Sequence, residues 1–147
     1  MLIVDDSLTV AKSIEAIVRS GGHTAMIAFD TDEASRKLET HEVDVMILDV
    51  VMPGKNGFQF CREMKAHPQY KKIPIIMMST KNTDIDRFWG RKQGADEYLC
   101  KPAEPLALLT SISRLVTSDA RIPRRSSHMD PASEAGSLER VDSLRLF

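Results

Sequence analysis

A chain of 147 residues, 42% hydrophobic and 28% charged with a formal net charge of -1, has room for one domain with a proper core and too little length for two ordinary ones. The near-neutral balance gives no electrostatic footprint for nucleic acid or an anionic membrane, and no apolar run approaches the ~20 residues that span a bilayer. Neither nucleic acid nor membrane insertion is expected, and the opening Leu2-Ile3-Val4-Asp5-Asp6 lacks the basic and apolar regions of a secretion signal, so the cytoplasm is the expected location.

Taken in order, Leu2-Ile3-Val4 is a short apolar run ended by Asp5-Asp6, with only four residues before Asp5. Ser7 is placed to cap a helix whose Val10, Ile14, Ile17 and Val18 recur at helical spacing, and Ser20-Gly21-Gly22 closes it. Thr24 to Ala28 predicts a second strand. Asp30 or Thr31 then caps a helix with Asp32 and Glu33 in its first turn, where the helix dipole favours anions, and Ala34 and Leu38 on its buried face. Val45 to Leu48 is an unbroken apolar run, the pattern of a strand covered on both faces. Asp49 stands at its end. Pro53-Gly54 and Asn56-Gly57 supply turn chemistry before a helix over Phe58 to Ala66, with Phe60 and Met64 one turn apart.

Pro74 to Met78 is a fourth strand ending at Ser79-Thr80, and Thr83 to Gln93 a helix with Asp86 three residues after its Thr83 cap and Gly94 as its stop. Tyr98-Leu99-Cys100 is a short fifth strand before Lys101-Pro102. The last helix opens at Pro105 and carries Leu109, Ile112 and Val116 on one stripe. Phe88 is assigned to the core, Trp89 to the surface, and Met46, Met77 and Met78 to core filling. Cys61 and Cys100 lack metal or redox spacing and are expected as core or near-core residues; His23, His41, His67 and His128 are expected in solvent.

Strict strand-helix alternation predicts an α/β fold, a doubly wound parallel sheet of five strands with helices on both faces, because parallel neighbours need a crossover. Ligands of such sheets bind outside the carboxyl ends of the strands. Asp5, Asp6, Asp49, Ser79 and Lys101 all stand at those ends. Singly, each has an ordinary explanation as a cap or turn residue. Together they place three carboxylates, a hydroxyl and an amine at one rim. Three neighbouring carboxylates repel, and a hard divalent cation such as magnesium relieves this while leaving room for a phosphoryl oxygen.

Four stretches now define a resemblance: Ile-Val-Asp-Asp-Ser at 3 to 7, Ile-Leu-Asp-Val-Val-Met-Pro-Gly-Lys-Asn-Gly at 47 to 57, Met-Ser-Thr at 78 to 80, and Gly-Ala-Asp-Glu-Tyr-Leu-Cys-Lys-Pro at 94 to 102. They resemble the receiver domain of two-component response regulators, over residues 1 to about 117. The resemblance implies a flavodoxin-like, CheY-like sheet of strand order 2-1-3-4-5 and makes Asp49 the phosphoacceptor. It implies magnesium held by Asp6 and Asp49 directly, by Asp5 partly through water, and by the Val51 backbone carbonyl. It further implies phosphoryl contacts from Lys101, Ser79 and Thr80, a cis Lys101-Pro102 bond, and a Tyr98 that changes rotamer with the Ser79 loop. The implied partners are a histidine kinase and a downstream target docking on the fourth helix, fifth strand and fifth helix, with Trp89, Arg91 and Tyr98 on that face. Trp-Gly-Arg-Lys-Gln-Gly-Ala at 89 to 95 further resembles stand-alone receivers of twitching-motility and phototaxis pathways.

The chain departs from the pattern at Val51 and Lys81, which flank the path of a hydrolytic water, so an altered phosphorylated lifetime is expected. Such a receiver catalyses only its own phosphorylation and dephosphorylation. The alternatives are a magnesium-dependent aspartyl-phosphate phosphohydrolase, disfavoured by Val51 where such enzymes place an acid-base Asp, and a scaffold that docks without phosphorylation. Residues 118 to 147 read as a linker-like tail, disordered or derived from a fusion or vector at Ser127-His128-Met129, with no output domain. Leu138, Val141 and Leu144 give the tail a short amphipathic segment at its end.

Overall fold

The computed structural model describes residues 1–120, with side chains to Thr117; the tail features just named, and His128, lie outside the described residues. Strands β1 (Leu2–Val4), β2 (Met26–Ala28), β3 (Met46–Asp49), β4 (Ile75–Ser79) and β5 (Glu97–Cys100) alternate with helices α1 (Leu8–Ser20), α2 (Thr31–Thr40), α3 (Gly57–Ala66), α4 (Asp84–Lys92) and α5 (Pro105–Ala120). All strand pairs are parallel, in the order β2-β1-β3-β4-β5, as expected.

Alternate strand residues go to opposite faces because the strand repeat is two residues. Leu2, Val4, Met46, Leu48, Ile75 and Met77 join Ala34, Leu38, Phe60 and Met64 of α2 and α3 in one core. Ile3, Ile47, Ile76 and Met78 join Ala11, Ile14 and Val18 of α1 and Leu108 and Ile112 of α5 in the other. Burial on both sides explains the unbroken apolar runs. Met46, Met77 and Met78 are core, as predicted, and Cys61 is buried with Cys100 half-buried. On α5 the most deeply covered side chains are Leu108 and Ile112, with Leu109 and Val116 packing at the margin.

Helix starts follow the sequence closely. Ser7 accepts from the Val10 N–H, Asp30 from Glu33, and Asn56 from Gln59. Thr83 and Asp86 form a reciprocal capping box at α4. One element departs from expectation in its orientation. Phe88, assigned to the core, is 58% exposed, because the space between α4 and the sheet is filled by the Tyr98 ring. A Cβ on Gly90 would lie 2.6 Å from Tyr98 Cδ2 and 3.2 Å from Met77 Sδ. Gly90 is the only buried residue of α4, so the helix sits on β5 through a residue without a side chain and turns its large apolar residues outward.

Candidate functional site

The parallel register brings the strand ends to one rim. Val4 pairs with Leu48, which sets Asp5 and Asp6 beside Asp49, while Asp49 pairs with Met78 and Ser79 with Cys100, which brings Ser79 and Lys101 to the same edge. Carboxylate oxygens of Asp5, Asp6 and Asp49 lie within 4.8 Å of one another. Asp5 and Asp49 are buried, and Asp6 faces solvent. Lys101 Nζ reaches Asp5 Oδ2 at 2.7 Å and Asp49 Oδ1 at 3.0 Å. A half-buried ammonium therefore bridges two buried carboxylates, the condition under which such charges are tolerated.

Asp5 is fixed on its other side by the Ser7 N–H, which donates to Oδ1 at 2.9 Å. Burial pushes the Asp49 carboxyl above its ordinary value; the Lys101 ammonium opposes this, and the Asp5 and Asp6 charges add to it. For Lys101 burial acts downward, yet its hydrogen bonds to Asp5 and Asp49 prevail and hold the amine above its usual value.

The β3–α3 loop is held by an unusually close approach. The Gly57 N–H donates to the Val50 carbonyl at 2.8 Å, and a Cβ on Gly57 would stand 2.1 Å from the Asp49 carbonyl oxygen. Gly57 thus opens α3 rather than serving only as a turn residue, and it seats the helix directly against the Asp49 backbone. The next carbonyl, Val51, accepts no hydrogen bond among the described residues, and the Val51 side chain is exposed.

Three clustered carboxylates, one of them open to solvent, fit a hard divalent cation better than a soft or imidazole-bound metal. Asp5, Asp6 and Asp49 are the groups able to hold it.

Ser79 is buried and its Oγ accepts from the Lys81 N–H at 3.0 Å, whereas Thr80 is exposed. Tyr98 is buried, and its hydroxyl donates to the Lys81 carbonyl. Its side chain therefore meets the β4–α4 loop that begins at Ser79. The Lys101-Pro102 peptide is cis. Trp89 and Arg91 are exposed on α4, apart from the acidic rim. Sequence reasoning missed Arg87: its Nη1 donates to the Tyr98 carbonyl at 3.0 Å and its guanidinium lies 5.7 Å from the ring centroid. It also missed Gly90, although a glycine inside a helix costs about 1 kcal/mol against alanine and so signals a packing demand.

The response regulator receiver domain family matches residues 1–113, and the chain belongs to that family. It is 35% identical over 116 residues to protein PilH of Pseudomonas aeruginosa, a match covering 79% of this chain and 96% of that protein. The chemotaxis response regulator CheY4 of Vibrio cholerae superposes with a TM-score of 0.71 at 33% identity, over 78% of this chain and 95% of that one. A putative response regulator from Chloroflexus aurantiacus gives 0.75 at 33% identity, over 79% and 95%. Among the described residues no helix is long and apolar enough to cross a membrane.

Proposed function

We propose that this receiver is a phosphorylation switch in which a phosphohistidine of a histidine kinase donates its phosphoryl group to Asp49. The supporting observation is the Asp49 carboxylate itself, buried at the strand end, ion-paired to Lys101 and clustered with Asp5 and Asp6. In the reaction an Asp49 oxygen attacks phosphorus, the N–P bond of the donor breaks, and the imidazole leaves with the electron pair. Asp5, Asp6, Asp49 and the Val51 carbonyl would hold magnesium, which would supply charge neutralisation. Lys101, already on Asp49, follows the developing charge by moving its ion pair from carboxylate to phosphoryl oxygen. Ser79 and Thr80 donate hydroxyl hydrogen bonds to the same group.

The Ser79 loop carries the change outward, because the Tyr98 hydroxyl is bonded to the Lys81 carbonyl of that loop. Movement there repositions α4 and alters the face of Trp89 and Arg91 that receives the downstream target; Tyr98, expected on that face, is buried beneath the helix and acts from below. Val51 and Lys81, both exposed at the mouth, set the lifetime of the phosphorylated form. A phosphohydrolase is the weaker reading, since Val51 offers no acid-base group.

Incubation with magnesium and acetyl phosphate, followed by intact mass measurement, is expected to show one added phosphoryl group that Asp49→Asn abolishes. Absence of that mass, or its persistence in Asp49→Asn, overturns the proposal.

A further inference from the structure

A cleft of about 210 Å³ opens between α2 and α3, lined also by the loop that leads from α3 into β4. Close-packed domains leave few spaces larger than a water molecule, so a gap of this size has a local cause. On α2, Leu38 and Glu39 follow Ser35 by three and four residues, which puts all three on one helical face. The short Ser35 side chain leaves the space in front of it unfilled. Across the cleft, Phe60 and Met64 stand one turn apart on α3. Leu38, Phe60 and Met64 are only 5%, 4% and 3% exposed, so the outer layer of the core forms an apolar floor.

The polar groups at the cleft set the charge of what it takes. Glu63 is already paired, with Lys55 Nζ at 2.5 Å. On α2 the lysine of the last turn, Lys37, pairs with Glu33, and Glu39 is exposed with no cationic partner among the described residues. The His67 and Tyr70 rings stack at 4.3 Å between centroids. The Gln69 N–H donates to His67 Nδ1 at 3.0 Å, which fits an uncharged imidazole. Lys71 and Lys72 follow Tyr70 in the chain but do not line the cleft. One unpaired carboxylate therefore stands beside two stacked rings over an apolar floor. Carboxylates and aromatic faces both attract cations, while a floor of this kind accepts hydrocarbon. An engineered apolar cavity of about 150 Å³ holds benzene, so the cleft has room for one ring and a short chain.

We propose that the α2–α3 cleft binds a small arylalkyl amine, its ring against Leu38, Phe60 and Met64 and its ammonium at Glu39. None of the lining residues belongs to the acidic rim, and the proposal does not rest on phosphorylation of Asp49.

The test titrates the full isotope-labelled chain with phenethylamine, against phenylpropionate and phenylethanol, and follows backbone amide shifts. Expected are saturable shifts around Leu38, Met64 and Tyr70 with phenethylamine, and weaker binding of the anion and the alcohol. Glu39→Gln is expected to raise the phenethylamine dissociation constant about two- to fivefold, the range of an exposed ion pair. Ser35→Leu, which fills the cleft from an exposed position, is expected to abolish the shifts, and thermal melting checks that both variants fold. The Glu39 variant changes only a surface group, so it reports even where Ser35→Leu lowers the melting point. The parent shifts are expected to persist in Asp49→Asn, which separates failure of this site from failure of the switch. No saturable shift, equal affinity for phenylpropionate or phenylethanol, an unchanged constant in Glu39→Gln, or shifts confined to Asp5, Asp6 and Asp49 each overturns the inference.

Discussion

The carboxyl of Asp49 is poised between two opposing influences, and pH separates them. Its folded-state value is raised above the ordinary carboxylate value, burial being the main cause. Between the ordinary and the raised value the folded protein binds more protons than the unfolded chain, so stability falls as pH rises through that window and the full cost remains above it. In magnesium-free urea unfolding, Asp49→Asn is expected to be more stable than the parent at neutral pH, with the gap closing as pH drops below the ordinary carboxylate value. A gap independent of pH would refute this assignment. Gly57 bears on the same carboxylate sterically. The 2.1 Å approach of an added Cβ to the Asp49 carbonyl is met by backbone, which cannot swing aside. Gly57→Ala is expected to cost roughly 3 kcal/mol or more in denaturant unfolding and to slow phosphoryl uptake by displacing the β3–α3 loop.

Helix α4 illustrates which parts of the structure could be read in advance. Its bounds and its Thr83-Asp86 cap follow from local chemistry and were legible. Its orientation was not, because helical spacing of Ile85, Phe88 and Trp89 predicts an apolar stripe without saying which way it points. That is decided by Tyr98, 8 residues beyond Gly90 in sequence, whose ring takes the space under the helix. Gly90→Ala tests this contact. Alanine gains about 1 kcal/mol in intrinsic helix preference, but the ring atoms at 2.6 and 2.9 Å and the Met77 sulfur at 3.2 Å leave no slack, and overpacking typically costs about 1–3 kcal/mol. A net loss of stability, with the Tyr98 hydroxyl displaced from the Lys81 carbonyl and seen as altered tyrosine absorbance, is expected. The acidic rim was readable for a different reason. In a parallel sheet every strand ends on the same side, so the order of elements alone placed Asp5, Asp6, Asp49, Ser79 and Lys101 together, whereas the close approaches at Gly57 and Gly90 depend on contacts that no periodicity encodes.

Taken as one body, the domain gathers its three rim carboxylates only when folded. A cation bound by the native carboxylates and not by the unfolded chain stabilises by mass action, about 2.7 kcal/mol at one hundred times its dissociation constant. Magnesium is therefore expected to raise the melting midpoint of the parent, and Asp6→Asn, which removes the solvent-facing carboxylate, to blunt that rise; an equal rise in both would argue against binding at this rim. The bridge from Lys101 to Asp5 and Asp49 has a further consequence during synthesis. On the ribosome the acidic residues emerge long before their ammonium, so a nascent chain that stops short of β5 holds uncompensated like charges and lacks the edge that would close the sheet. The pocket can come into being only when nearly the entire domain has been translated.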